Sequence, residues 1–258
     1  MGFLKFLGTA GARFVVMQQL RASGGLWLSL DDTNLLIDPG PGCLLRCLQS
    51  RPKLDPRQLD GILITHRHLD HANDVNIMIE AMTNGGFSRK GTVFAPNDAL
   101  TEDPVIFKHA QRQVDHVTIL KPCHRYPLGS LQLTTSQSLH HGVETYGLTV
   151  QGKTQRIALI TDTEYFPELA TQFPADILII NVVLQEKKDG IQHLSLTDAE
   201  AIIAGNHPRF AVLTHFGMTL VKARPETIAD AMTQRLGIKV IAATDGLQLP
   251  LPDTHPPA

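Results

Sequence analysis

The sequence has few cysteines and no long hydrophobic run. Its three cysteines, Cys43, Cys47 and Cys123, form no obvious disulfide framework, which is typical of a reducing compartment. No run of about 18 apolar residues is present, so no membrane-spanning helix is predicted. The first residues also lack the basic-then-apolar layout of a secretion signal. We therefore expect a cytoplasmic protein without a membrane partner.

The sequence also lacks an excess of charge of either sign. Lysine and arginine are scattered, and the formal net charge is -2. This argues against broad electrostatic capture of nucleic acid and favours a small or locally presented substrate. Histidine, in contrast, is frequent, with 12 residues, several of them beside acidic residues or glycine. This enrichment raises the expectation of metal chemistry.

Short apolar, β-branched runs alternate with helical patterns along the chain. Strand-like runs extend from residues 3–8 to residues 239–243, and helices are predicted near 43–50, 72–84, 197–206 and 224–236. The third helix opens on Thr197 and Glu200 in the arrangement of a capping box. The alternation predicts a layered α/β protein, and two strand-rich halves that meet near residue 150 suit two sheets packed face to face. We expect one domain over residues 1–250 and a flexible tail over 251–258.

Four possible metal ligands follow the apolar run 61–65, namely His66, His68, Asp70 and His71. Loops held by strand ends are good positions for chemistry. Imidazole and carboxylate groups suit Zn²⁺, Mn²⁺ or Fe²⁺, and these ligands exceed what one tetrahedral ion normally takes from one loop. Two divalent ions that share the loop are therefore predicted. The alternative is a polar turn that happens to be rich in histidine.

This His-x-His-x-Asp-His loop resembles the signature of the metallo-β-lactamase superfamily. The similarity continues in the segment His141-Gly-Val-Glu-Thr-Tyr-Gly, which resembles a motif of the ribonuclease Z and cyclic phosphodiesterase branch. It extends to Asp162 after a strand and to Leu-Thr-His215-Phe near the end of the chain. The resemblance implies a four-layer αββα sandwich of two mixed sheets, and a metal-dependent hydrolase.

The resemblance also implies a ligand set for two ions, with Zn²⁺ as the first choice and Mn²⁺ or Fe²⁺ as alternatives. The first ion would bind His66, His68 and His141, the second would bind Asp70, His71 and His215, and Asp162 would bridge them. Judged alone, Asp162 could instead cap a helix over residues 164–171, and His215 could be a satisfied histidine at a strand end. His140 competes with His141 for one position, and the spacing to the Tyr-Gly pair favours His141.

Two further positions follow from the same resemblance. His193 lies in a segment that resembles one where a histidine helps to protonate the leaving group, a step worth about 10² to 10⁴ in rate. Asp70 and His193 are therefore the predicted catalytic residues, and the alternative for His193 is a plain surface histidine near a helix N-cap. Asp38 matches an aspartate that orients the metal-binding loop, although a turn residue before Pro39 is an alternative.

The predicted reaction is hydrolysis of a small or cyclic phosphodiester by a hydroxide bound to both ions. Hydrolysis of a carboxylic ester, thioester or lactone at the same site is one alternative, and a non-catalytic metal-binding module is another. Only 20 residues separate His141 from Asp162, which leaves no room for the long arm with which many ribonuclease Z enzymes grip transfer RNA. Transfer RNA is therefore not expected as a substrate. A homodimer is an open expectation, since similar proteins often form one.

Two other patterns are given structural roles. The segment from Phe6 to Ala12 lacks the complete Gly-x-Gly-x-x-Gly spacing, so no nucleotide cofactor is expected. Cys43 and Cys47 are four residues apart on a predicted helix. Two buried thiols on one helical face are favoured over a second, structural zinc site.

Overall fold

The computed structural model describes residues 2–101 and 103–251, which form two seven-stranded sheets. In spatial order, the first sheet contains β14 (Gln248–Leu251), β1 (Gly2–Phe6), β2 (Leu26–Leu30), β3 (Thr33–Ile37), β4 (Gly61–Leu63), β5 (Thr92–Ala95) and β6 (His116–Ile119). The second contains β13 (Lys239–Ala242), β12 (Phe210–Thr214), β11 (Ile177–Asn181), β10 (Arg156–Ile160), β9 (Tyr146–Gln151), β8 (Leu131–Ser138) and β7 (Arg125–Leu128).

Both sheets mix parallel and antiparallel strands. Strands β3 to β6 are parallel in the first sheet, and β10 to β13 are parallel in the second. The helices are α1 (Ala12–Met17), α2 (Cys43–Gln49), α3 (Leu69–Ala72), α4 (Val75–Met82), α5 (Lys108–Gln111), α6 (Leu169–Gln172), α7 (Leu196–Asn206), α8 (Met218–Lys222) and α9 (Pro225–Leu236), with a 3₁₀ turn at Pro56–Gln58.

Three apolar cores hold four layers together. One lies between the sheets, where Leu28 and Leu35 of the first sheet belong to the same cluster as Leu148 of the second. A second core packs the outer face of the first sheet against helices that include α2 and α4, and a third packs the second sheet against α7 and α9. The predicted four-layer αββα sandwich is therefore confirmed. Central strands such as β11 and β12 are buried on both faces, which is why they are apolar nearly throughout.

The predicted division of the chain near residue 150 is wrong. The first sheet ends with β6 at Ile119, the second begins with β7 at Arg125, and β14 returns to the first sheet beside β1. Periodicity shows that a segment is a strand, but partner choice depends on contacts between residues far apart in sequence. Hence the alternating pattern could not place the boundary.

The predicted capping box of the third helix is also displaced. Helix α7 begins at Leu196, and Ser195 is its N-cap. The Ser195 hydroxyl accepts the backbone N–H of Asp198, and the Asp198 carboxylate accepts the N–H of Ser195 at 2.8 Å. Asp198 thus performs the reciprocal role assigned to Glu200, and the N-cap lies two residues earlier than expected, at Ser195 instead of Thr197.

The predicted tail begins inside a strand. Leu251 pairs with Gly2 in the first sheet and is buried, while residues 252–258 lie outside the described part of the chain. Within residues 2–101 and 103–251, no helix has the length and apolar character needed to cross a membrane.

Candidate metal centre

The side chains predicted to bind metal lie together at one edge of the sandwich. His66 follows β4, His141 follows β8, Asp162 follows β10, and His215 directly follows β12. Strands β10 and β12 are members of one parallel array, so their carboxyl ends reach the same edge. Packing of the two sheets brings the loop after β4 to this edge as well.

The carboxylate of Asp162 lies at the middle of the cluster and is almost completely buried, at 3% exposure. Its Oδ2 atom faces five imidazole rings. The distances are 3.3 Å to His215 Nε2, 3.5 Å to His71 Nε2, 3.6 Å to His193 Nδ1, 3.9 Å to His141 Nε2 and 4.0 Å to His66 Nε2. A helix-cap role for Asp162 does not fit this position, because α6 begins only at Leu169.

Three sets of donor atoms face one another closely enough to hold ions. Each set lies within 4.8 Å, and the sets are His66, His68 and His141; His66, His71 and Asp162; and Asp70, His71 and His215. The first and third correspond to the two predicted ligand groups, and the second joins them through Asp162. The assignment of each side chain to an ion stays a prediction.

The state of the imidazole nitrogens fits bound divalent metal. Among the described residues, the Nε2 atoms of His66, His71 and His215 are buried and make no hydrogen bond, although Asp162 Oδ2 lies 3.3 to 4.0 Å from them. A buried polar atom without a partner costs about 1 to 3 kcal/mol. Coordination to a cation would satisfy these lone pairs. The mixed imidazole and carboxylate set suits Zn²⁺, Mn²⁺ or Fe²⁺.

The charges of the cluster also fit a bound metal ion. Burial alone raises the pKa of the Asp162 carboxyl, but His215, His193 and His71 outweigh burial and hold it well below its usual range. Burial likewise lowers the pKa of His71, yet the carboxylates of Asp70, Asp38 and Asp162 hold it well above its ordinary value. Without a metal ion, these carboxylates therefore favour a proton on His71. A metal cation would displace that proton, because metal ligands must be deprotonated.

The rings of His66 and His68 are more easily kept neutral. Burial and the neighbouring His71 hold the pKa of His66 well below its ordinary value. Burial and His141 lower the pKa of His68. Neutral imidazole is the form that binds a metal.

Asp38, at the end of β3, holds the metal-binding loop in place. Its Oδ2 accepts the Thr65 hydroxyl at 2.8 Å and lies 2.9 Å from His71 Nδ1, while its Oδ1 accepts the Thr65 N–H at 2.7 Å. This bonding leaves His71 Nε2 directed at the cluster. Asp38 also has a left-handed backbone, with φ of 53°, and so does His215, with φ of 62°. Such conformations are uncommon outside glycine and concentrate at functional sites.

We expect Asp38→Asn to weaken metal binding by about 10- to 100-fold, as is typical for partners of metal-binding histidines. The amide removes a charge and presents an N–H₂ group where Thr65 and His71 now donate. Affinity can be measured by competition with a chromogenic chelator. Asp55→Asn is the matched control, because Asp55 caps the 3₁₀ turn at Pro56 and its carboxylate pairs with Arg57. Equal affinity in both variants would contradict the role assigned to Asp38.

The alternative between His140 and His141 is decided by orientation. His141 is buried and its Nε2 lies 3.1 Å from His68 Nδ1. The exposed His140 instead stacks on Phe166, with ring centroids 4.4 Å apart. Of the two, His141 therefore faces the cluster.

Two supporting residues were not predicted. The Asn181 amide donates to Asp162 Oδ1 at 2.9 Å, which orients the central carboxylate. The Gln192 carbonyl lies 3.1 Å from His141 Nδ1, and the Gln192 side chain accepts the N–H of Gly142 at 2.6 Å. A polar residue at the end of the apolar run 177–180 was a signal for Asn181. No local pattern pointed to Gln192, whose bonds span about 50 residues of sequence.

The cysteines lie away from this cluster. Cys43 and Cys47 are completely buried in the core between the first sheet and its helices, and Cys123 is exposed. Burial and a side-chain hydrogen bond with Cys47 raise the pKa of Cys43 well above its ordinary value. This agrees with the expectation of two buried thiols.

Comparison with known proteins defines the family. Residues 33–216 match the model of the beta-lactamase superfamily domain. An uncharacterized protein of Methanocaldococcus jannaschii is 30% identical over 263 residues, which cover 95% of this chain and 94% of the relative. The chain therefore belongs to the metallo-β-lactamase superfamily of hydrolases, as its motifs predicted.

Other relatives locate the chain near the ribonuclease Z branch. Ribonuclease Z of Kineococcus radiotolerans is 27% identical over 152 residues, which cover 57% of this chain and 47% of that enzyme. Among solved structures, the metallo-beta-lactamase fold protein YhfI of Bacillus subtilis has a TM-score of 0.77 at 19% identity. The match covers 96% of this chain and 98% of the YhfI chain. A diphosphatase from the PhnP family has a TM-score of 0.69 at 20% identity, with 96% of each chain covered. At these identities the two structures show the shared fold.

Proposed function

We propose that this protein hydrolyses a small or cyclic phosphodiester with two divalent metal ions. The observation that carries the proposal is the position of His193. Its ring enters the cluster from the loop before α7, with Nδ1 3.6 Å from Asp162 Oδ2 and its centroid 5.1 Å from that of His141. Thus an imidazole that is not one of the proposed ligands, and that can transfer a proton, lies beside the atoms that would hold the metals.

The roles of the remaining residues follow from their contacts. Two bound ions would activate a water molecule and polarise the phosphoryl oxygen. His66, His68, His141, Asp70, His71, His215 and Asp162 would hold those ions. Asn181 orients Asp162, and Asp38 orients His71. A protonated His193 would donate its proton to the oxygen of the departing alkoxide, which gives the alcohol and leaves His193 as neutral imidazole.

The similarity to ribonuclease Z and to a PhnP-family diphosphatase supports phosphoryl chemistry. The hairpin of β9 and β10 fills the chain between His141 and Asp162, which agrees with a small substrate rather than transfer RNA. Carboxylic ester, thioester or lactone hydrolysis is the competing activity at the same site, and pure metal binding is the non-enzymatic alternative.

Metal analysis combined with a substrate panel tests the proposal. We expect about two metal ions per chain and turnover of bis-p-nitrophenyl phosphate or 2′,3′-cyclic nucleotides. Removal of the ions with a chelator should abolish turnover, and Zn²⁺ or Mn²⁺ should restore it. Cleavage of lactones or thioesters without cleavage of phosphodiesters would refute the proposal. Bound metal without any turnover would support a binding module instead.

A further inference from the structure

A groove of about 510 Å³ opens beside the metal centre. His68, His141 and His193 belong to its lining, so a substrate at the centre would extend into it. Among the described residues that line the groove, Arg13 and Lys188 are cationic and none is Asp or Glu. An anionic phosphodiester therefore meets favourable charge and no opposing carboxylate there.

One wall of the groove is attached to the loop that carries His215. The Gly11 N–H donates to the Phe216 carbonyl at 3.0 Å, and the Phe216 N–H donates to the Thr9 carbonyl at 2.9 Å. A Cβ atom on Gly11 would lie 1.9 Å from the His215 carbonyl oxygen, so only glycine permits this approach. The next residue, Ala12, has φ of 57°, which turns the chain into α1. Helix α1 is thereby held at the mouth of the site.

A second part of the groove lining is attached to His141. Gln192 is bonded to His141 and Gly142 as described above, and the His193 N–H donates to the Ile191 carbonyl at 2.9 Å. Ile191 itself is 41% exposed and lines the groove. Both parts of the lining are therefore positioned by the loops that carry the proposed ligands, and their spacing depends on the same contacts as the centre itself.

Helix α1 presents one large apolar ring to this groove. Phe14 lines the groove and is 60% exposed, while the next residue, Val15, is completely buried and anchors the helix. Single exposed apolar side chains are common on protein surfaces, so exposure alone carries little weight. The combination is more specific, because this ring shares a cationic groove with His193, the proposed proton donor.

We propose that Phe14 is a specificity-determining residue, which stacks on an aromatic ring carried by an ester group of the phosphodiester. The inference rests on the proposed phosphodiesterase function and adds a substrate class to it, namely phosphodiesters with a nucleobase or aryl ring. Stacking on an exposed aromatic side chain tolerates many ring types, since every such ring has a π-face.

The contribution of an aromatic ring on the substrate can be measured with a pair of substrates. 2′,3′-Cyclic AMP and glycerol 1,2-cyclic phosphate share a five-membered cyclic phosphodiester and an alkoxide leaving group, and only the first carries an aromatic ring. We expect the ratio of their kcat/KM values to fall by about 5- to 100-fold in Phe14→Ala, the range that base stacking supplies. Phe14→Trp should retain the ratio. Phe87→Ala is the matched control, because Phe87 is 90% exposed and is not among the groove residues.

An unchanged ratio in Phe14→Ala, or an equal fall in Phe87→Ala, would overturn the proposal. If the metal-loaded protein cleaved no phosphodiester, the proposed function would fail. The stacking role of Phe14 would then be tested separately, by measuring the binding of aromatic phosphates. Calorimetric titration with adenosine 3′-monophosphate and with phenyl phosphate serves this purpose and distinguishes a nucleobase from a simple aryl ring. If Phe14→Ala binds either of these two ligands more weakly than the unchanged protein does, the stacking role is supported. Affinity that is absent or independent of Phe14 contradicts it.

Discussion

Replacing Asp162 by asparagine is expected to lower the metal content from about two ions per chain to one or none. Asp162 is the central buried carboxylate, and its Oδ2 faces five imidazole rings. Loss of one partner from a buried charged pair costs about 3 to 5 kcal/mol. If the same loss applies to the transition state, phosphodiester turnover should fall by about 10² to 10⁴-fold.

Metal content by elemental analysis and steady-state kinetics would test this expectation. Asparagine keeps the size of the side chain, so the comparison reports chiefly on charge. Asp230→Asn is a matched control, because Asp230 lies exposed on α9. Circular dichroism should show the same fold for both variants. Two retained ions in Asp162→Asn would rule out a bridging role for this carboxylate.

The second large effect is expected at His193. Replacement by glutamine removes the proposed proton donor, so turnover of 2′,3′-cyclic nucleotides should fall by about 10² to 10⁴-fold. Their leaving group is a basic alkoxide and needs the proton. The p-nitrophenolate released from bis-p-nitrophenyl phosphate is a stable anion, so the loss with that substrate should be much smaller. Metal content should stay unchanged.

His140→Gln provides the control, because His140 is exposed and packs on Phe166. Kinetics with both substrates and metal analysis should be run on the same preparations. Equal losses for the two leaving groups, together with lost metal, would show that His193 acts as a ligand rather than as an acid. The dependence on the leaving group is therefore the decisive measurement.

The motifs anticipated much of the site because its first part is local. His66, His68, Asp70 and His71 come from one loop and the short helix α3, so their grouping is written in adjacent residues. The family resemblance predicted His141, Asp162 and His215. Each of them also follows an apolar strand, where a ligand can be held. Asn181 and Gln192 were missed, because their bonds to Asp162 and His141 depend on how separate strands and loops pack.

The fold, like the site, was predictable only where it depends on local sequence patterns. Apolar strands, amphipathic helices and the family motifs predicted the four-layer sandwich. Local patterns misplaced the division between the sheets and the cap of α7, and they overlooked α1, the helix that carries Phe14. Helix α1 has six residues, too few for a clear apolar period, and its position depends on bonds to the loop after β12.

The His66 to His71 loop, the order of the motifs and the family are thus properties of the sequence alone, because they rest on residue types at short spacings. Tertiary structure decided that His141 and not His140 enters the cluster, that Asp162 lies at its middle, and that Phe14 shares a groove with His193. The physical reason is that these relations are distances between atoms on different strands and helices. Only the packing of the two sheets and their helices sets such distances.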